Sequence, residues 1–321
     1  MVDEALDDLN LGDLIATLGS IDDDEIDWQN VARTTVLIHQ TFRYEYPGKI
    51  TALRQRLMVV PPDFHDDQRL ITHKLRVSGS NVDTERSYDT FGNVVLDLTL
   101  ERVDREVEFT SWIVVEREAG ADGAHYSEPL SPDARFSEPS RLTRPDAALT
   151  AVAAELEVTG TTGLELAELV SARVHDHLRY DWEATSIATT AAEAWAGGAG
   201  VCQDYAHCML ALARLCGLSA RYVSGHLLGE GGSHAWVEIL VPHPQHPECV
   251  SAVPFDPTHV RRAGLRYVTV AVGRDYADVA PTSGTYDGEY EGLLTTSKRA
   301  AVTSVEYLRP RRRRTGALPS S

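Results

Sequence analysis

The sequence predicts an α+β fold: a core in which a cysteine at a helix N-terminus packs on an antiparallel sheet, preceded by an antiparallel β-domain. Three observations carry this. Gly198-Ala199-Gly200-Val201-Cys202-Gln203-Asp204-Tyr205-Ala206-His207 sets a cysteine between a glycine turn and a helix pattern. Downstream, His234 and Asp256 each stand at the end of a strand-like run. Residues 30–118 alternate or run β-branched between turn signals, as half-buried strands do. At 321 residues the chain exceeds the usual single-domain size.

The elements follow in order. Residues 1–30 hold ten acidic side chains and no Lys or Arg, which predicts a solvated, disordered leader over 1–29, with a docking or autoinhibitory arm as the sharper alternative. In the β-domain, 30–118, Val77–Ser87 and Val94–Val103 read as strands around an Asp89-Thr90-Phe91-Gly92-Asn93 turn, and Phe109–Val115 as another. Residues 119–145, rich in Ser, Pro, Gly and Ala, form the expected linker to a catalytic domain over 146–308. There Ala206, Met209, Leu210, Ala213 and Leu215 give an apolar stripe near helical spacing, and Gly217 is a natural C-cap.

Three strands are expected next: Ala220–Leu228, His234–Val241 after the Gly229-Glu230-Gly231-Gly232 turn, and Val250–Phe255 beyond the loop Pro242–Glu248. A hairpin centred near Gln245 sets Leu240 against Val250 and His234 opposite Asp256. Cross-strand Cβ atoms lie roughly 4.5–5.5 Å apart, which suits a His–carboxylate hydrogen bond. Gly284–Leu294 and Ala300–Leu308 are expected to close the catalytic domain as a hairpin near the site. Residues 309–321 form a basic tail containing Arg311–Arg314.

Charge and cysteine usage narrow the partners. A net charge of −18 repels phosphates, so the basic tail does not make this a nucleic-acid binder. No apolar run approaches the ~18 residues of a membrane span, and no secretory signal pattern opens the chain. Cys202, Cys208, Cys216 and Cys249 form neither a disulfide framework nor a Cys-x-x-Cys metal pair. The expected setting is the cytoplasm, whose reducing conditions suit a catalytic thiol. Neither cofactor nor metal is expected; His175 and His177, with Asp181 near, lack a third clear ligand.

Those residue types suit acyl transfer through sulfur. Unpaired amide N–H groups at a helix start favour negative charge, so a thiol at Cys202 is disposed toward thiolate, the nucleophilic form. His234 is the candidate general base and acid, and Asp256 the group that holds its other nitrogen. The Cys202 amide can supply one oxyanion donor. Cys208 and Cys216 read as helix-packing residues, His207 and His226 as polar packing, Tyr222 and Trp236 as core or cleft-lining aromatics.

With Ala194-Trp195 upstream, Leu218 through His226, His234-Ala235-Trp236-Val237-Glu238 and Phe255-Asp256-Pro257-Thr258-His259, the chain resembles the transglutaminase-like superfamily of cysteine enzymes over roughly residues 146–272. Thr41–Tyr46, Gln55–Pro61 and Asp89–Asn93 resemble the N-terminal β-domain attached to many bacterial members. The resemblance implies a papain-like core with a Cys-His-Asp triad at Cys202, His234 and Asp256. Trp195, Gln203, Asp204 and Trp236 are the positions it offers for the oxyanion or cleft. It implies an amide or peptide hydrolase working through a thioester, with protein transglutamination as the alternative. A non-catalytic peptide-binding scaffold is a third reading, against which an intact triad argues. Relatives are often encoded beside peptide-ligase-like proteins of the ATP-grasp type, which implies a peptide or amide substrate. Calcium activation, known in animal relatives, is not implied, because no Asp-rich loop of EF-hand type is present.

Overall fold

The computed structural model describes residues 21–79, 82, 84–120 and 129–308. Seven strands come first: β1 (Val31–Glu45), β2 (Ile50–Leu57), β3 (Phe64–His65), β4 (Gln68–Val77), β5 (Thr84–Tyr88), β6 (Val94–Val103) and β7 (Glu106–Glu118). Four helices follow, α1 (Ala147–Glu157), α2 (Gly163–His177), α3 (Ala191–Gly197) and α4 (Cys202–Leu215), with the short parallel pair β8 (Arg179–Tyr180) and β9 (Ala199–Gly200) between them. The remaining strands are β10 (Ser219–Leu227), β11 (His234–Pro242), β12 (Val250–Phe255), β13 (Tyr267–Gly273), β14 (Thr282–Asp287) and β15 (Leu293–Tyr307).

The β-domain is two sheets, ordered β15-β1-β7-β4-β3 and β14-β2-β6-β5. Their inward residues, among them Phe42, Ile50, Leu53, Leu57, Leu96, Leu98 and Phe109, form one buried core. The second part, where the sequence predicts the catalytic domain, is the antiparallel sheet β12-β11-β10-β13 with α4 laid against it. Helices α1, α2 and α3 cover the rest of α4, so Tyr205 through Ala213 are all buried. That burial, at roughly 25 cal/mol per Å² of apolar area, fixes the helix whose first residue is Cys202.

The two parts meet along β13, an edge strand. Gln68 donates from Nε2 to the Thr269 carbonyl at 2.8 Å and accepts the Thr269 N–H at 2.9 Å. Asn93 treats Val272 the same way, at 2.7 and 2.8 Å. Two side-chain amides thus satisfy backbone groups that an edge strand leaves unpaired. Asp89 aims one of them, accepting the N–H groups of Phe91 and Asn93 and the side-chain amide of Asn93. The Asp-Thr-Phe-Gly-Asn turn is therefore the joint between the domains. Val36, Ile38, Ile113, Val115 and Val302 pack beside it against Leu228 and Val268.

The structure corrects four sequence expectations. Strands β14 and β15 do not close the catalytic domain. β15 pairs along β1 from Val31↔Tyr307 to Glu45↔Leu293, and β14 pairs with β2, because those strands offered long unpaired edges. The β11–β12 hairpin is shifted by two residues: Leu240 faces Ala252 and Pro242 faces Val250. The turn is tightened by hydrogen bonds from the Cys249 N–H to His246 and from the His243 N–H to Cys249, which centre it on His246. A two-residue slip preserves which face each side chain takes, so His234 and Asp256 still meet. Residues 21–29 of the acidic leader are ordered: Ile21 bridges Val302, Ile26 is buried and Asp23 pairs with Arg266. The described part of the linker is a packed strap, with Leu130 bridging Val250 and both Phe136 and Leu142 buried. Residues 1–20 and the basic tail 309–321 lie outside the described residues. Among those described, no helix is long and apolar enough to cross a membrane.

Candidate active site

Cys202 is the first residue of α4, and the turn before it is held from within the helix. Asp204 accepts the Val201 N–H at 2.8 Å and the Thr185 hydroxyl at 2.6 Å through the same oxygen. A Cβ on Gly200 would stand 2.6 Å from the Asp204 carboxylate, so this approach needs glycine. Burial raises the Asp204 pKa, against the hydrogen bonds from Thr185 and Val201. Asp204 therefore shapes the turn that presents the thiol.

His234 opens β11 and is 2% exposed. Its Nε2 lies 2.9 Å from Asp256 Oδ2. That leaves Nδ1 free of Asp256 and 3.3 Å from Glu230 Oε2, while the ring also interacts side chain to side chain with Cys202. Burial alone would discharge this imidazole, but Asp256, Cys202 and Glu230 together raise its pKa to about 11. Each partner thus favours the charged form of the other, an imidazolium facing a carboxylate.

Asp256 is fully buried and saturated with donors. Its Oδ2 faces His234 Nε2, His259 Nδ1 at 2.7 Å and the Tyr267 hydroxyl at 2.6 Å. Its Oδ1 accepts the N–H groups of Thr258 and His259. Burial pushes the carboxyl pKa up, yet the hydrogen bonds from His234 and His259 and the imidazole charge hold it well below the usual range. Across the cleft, Glu230 approaches both rings, with Oε1 3.4 Å from His259 Nε2. Two imidazoles are thus bracketed by two carboxylates. His234, Asp256 and His259 also lie close enough to share a cation.

The other sequence candidates divide. Trp236 backs the imidazole at a ring separation of 6.2 Å and packs edge-on against Tyr267. Trp195 instead stacks on His177 at 3.7 Å, between α2 and α3. Gln203 donates its side-chain amide to the Ile187 carbonyl at 3.3 Å. Cys208 is buried in the helical core, which pushes its thiol pKa up, and Cys216 is raised by partial burial. His207 accepts the Tyr276 N–H and is held neutral by burial, its pKa lowered to about 4. His226, also buried, is lowered to about 3. His175 and His177 each bond a backbone carbonyl, those of Thr258 and Trp195.

Sequence reasoning assigned no role to Glu230, His259 or Tyr267. His259 closes the Phe255–His259 motif and could have been found there, because a histidine three residues beyond a turn aspartate folds back on it. Tyr267 carries no such signal; only tertiary pairing of β13 beside β10 brings it to Asp256.

Comparison with known proteins agrees with this architecture. Residues 150–249 match the sequence profile of the transglutaminase-like superfamily core, and residues 36–116 that of the bacterial transglutaminase-like N-terminal region. Cys202 and His234 fall inside the matched core, and Asp256 just beyond it. An uncharacterized protein of Mycobacterium leprae is 30% identical over 273 residues, covering 78% of this chain and 92% of that one. One from Mycobacterium tuberculosis is 28% identical over 273 residues, covering 77% and 85%. The crystal structure of a candidate cysteine protease from Cytophaga hutchinsonii superposes with a TM-score of 0.69 at 18% identity, covering 86% of this chain and 93% of that one, a likeness of fold. With both profiles in order and a relative matched over nearly its whole length, the chain belongs to the transglutaminase-like superfamily in its bacterial form, with the N-terminal β-domain attached.

Proposed function

We propose that the protein is a cysteine-dependent amide or peptide hydrolase whose triad is Cys202, His234 and Asp256. The observation that carries this reading is the His234 ring, tied through Nε2 to a buried Asp256 and interacting with the Cys202 side chain at the start of α4. The Cys202 sulfur attacks the substrate carbonyl, and the developing oxyanion takes a hydrogen bond from the Cys202 amide. The C–N bond breaks as Nδ1 gives its proton to the leaving amine, leaving a thioester. Water then adds to the thioester, passing a proton to His234, and the acid leaves with the thiol restored. Asp256 fixes the tautomer throughout and stabilises the imidazolium.

A second reading is supported by Glu230. A carboxylate 3.3 Å from His234 Nδ1, on a glycine-rich turn, is suited to receive an ammonium group. A lysine or small amine bound there would give one proton to Glu230, add to the thioester as the free amine in place of water, and pass its second proton to His234 as the thiol leaves, which is transamidation.

An amide and peptide library read by intact mass tests both. The hydrolase reading expects an acyl adduct that forms on the wild-type chain, is absent from Cys202→Ala, and resolves to free acid in water alone. Turnover only with added amine favours the transferase. Ligand binding that survives Cys202→Ala with no adduct on any substrate contradicts both.

A further inference from the structure

The β-domain brings a buried cation alongside the Gly231–Ser233 segment that leads into His234. Lys298 on β15 is 8% exposed, and its Nζ donates to the Leu227 carbonyl at 3.2 Å. Among the described residues no carboxylate stands within ion-pairing distance of it. An ammonium group has three donors, and burying it with a single carbonyl partner is unfavourable. Burial lowers its pKa to about 8, with the Glu230 and Cys202 side chains opposing the fall. The group lies within electrostatic range of the nucleophile.

Lys298 opens on a cavity of about 120 Å³, lined also by Gln40, Phe42, Ser233, Thr296 and Ser297. Gly231 and Gly232 form its rim, and that segment leads directly into His234. An apolar cavity of about 150 Å³ accepts benzene, so this volume suits a short carboxylate-bearing group. The lining supplies a cation, an amide and hydroxyls, the chemistry that receives a carboxylate. In a chain of net charge −18, a buried cation within electrostatic range of the nucleophile is also the local feature that would admit an anionic substrate.

We propose that this cavity is a carboxylate-binding subsite, in which Lys298 holds a free carboxylate of the peptide whose scissile amide lies on Cys202. The inference rests on the thiol-hydrolase reading and names its substrate class: peptides with a free carboxylate beside the cleaved bond. That carboxylate comes either from an acidic side chain or from a chain end. The β-domain is then part of the substrate site as well as a support for β13.

Protection of Cys202 against iodoacetamide, followed by intact mass and expressed as the ratio of labelling rates with and without ligand, tests this. N-acetylglutamic acid α-amide carries only the side-chain carboxylate, N-acetylglutamine only the terminal one, and N-acetylglutaminamide neither. At least one of the two acids should protect saturably and the neutral diamide should not; the better protector identifies the source. In Lys298→Met the midpoint for protection should rise roughly tenfold or more, the loss of one charge-assisted hydrogen bond, and Lys298→Arg should recover part of it. Equal protection by the neutral diamide, or an unchanged midpoint in a folded Lys298→Met chain, overturns the subsite. If Cys202 fails to label at all, the thiol reading falls instead. Ligand-observed NMR of the same acids with wild-type and Lys298→Met chains then decides the subsite alone, through line broadening that the variant loses or keeps.

Discussion

Two sides of the Cys202 site, a closed wall on the catalytic sheet and an open wall on the β-domain, treat charge in opposite ways. On the catalytic-sheet side, Asp256 faces two imidazoles, a phenol and two backbone N–H groups, and the approaching charges are nearly all matched. On the β-domain side, Lys298 stands buried with one carbonyl. A closed network holds a ring in one orientation, which a general base needs. An open one leaves its strongest interaction to be made by whatever enters. Orientation thus falls to the catalytic sheet and the proposed subsite to the β-domain, the two joined through the Gln68 and Asn93 clamps on β13.

Substitutions on the closed wall should therefore cost much more than those on the open wall. The largest effect is expected at Asp256→Asn. An amide presents the wrong donor to His234 Nε2, and turnover should fall on the order of 10⁴-fold, measured against any substrate the library yields. Removing one partner of so buried a pair should also destabilise the fold by about 3–5 kcal/mol in urea unfolding. A loss under tenfold would mean that the network is decorative.

The pH dependence of that stability follows from the two shifts. Asp256 is depressed, so its contribution is present above the ordinary value of 3.8 and is lost as pH falls through the lower folded value. His234 is raised, so its contribution is complete below 6.5 and fades as pH climbs toward about 11. The stability gap between wild type and Asp256→Asn should be widest between those two ordinary values and shrink on the alkaline side. A gap that grows above neutrality would reverse the assignment of charge.

Gly225→Ala comes next. It lies opposite His234 on β10, and a Cβ there would meet the Val268 carbonyl at 2.1 Å and Trp236 at 2.6 Å. Overpacking of this kind costs about 1–3 kcal/mol, read as a lowered thermal midpoint. His259→Gln removes one of five donors to Asp256 and should cost about 1 kcal/mol. Its turnover should stay within roughly tenfold of wild type, because His234 keeps its own bond. On the open wall, Lys298→Met should leave the thermal midpoint unchanged or raise it, since replacing a poorly paired buried charge by an apolar chain is neutral or stabilising. A large drop there would show that Lys298 is structural.

Much of the closed wall was legible in the sequence. A cysteine after glycines and before a helix stripe, with His234 and Asp256 at strand ends, specifies which faces meet, and parity survives the two-residue shift in the β11–β12 register. Glu230 was hidden because a Gly-Glu-Gly-Gly turn reads as a connection, with nothing local to say that its carboxylate turns inward. The open wall was not legible. Lys298 lies far from Cys202 in the chain, and the runs around it carry no mark of which edge they will join. β15 found the free edge of β1, a long-range pairing that no local pattern encodes. The same limit hid the strap: Phe136 and Leu142 sit in a segment whose composition reads as linker, yet both are buried.

The central claim is that Cys202 is a nucleophile activated by the His234–Asp256 pair, and site-resolved alkylation of the wild-type chain and its variants tests this most directly. Iodoacetamide at neutral pH should mark Cys202 ahead of Cys208, Cys216 and Cys249. The Cys202 rate should fall roughly tenfold or more in His234→Ala, where the thiol loses its imidazole partner. An unchanged Cys202 rate in a folded His234→Ala chain, or faster labelling of any other cysteine in the wild-type chain, would contradict the account.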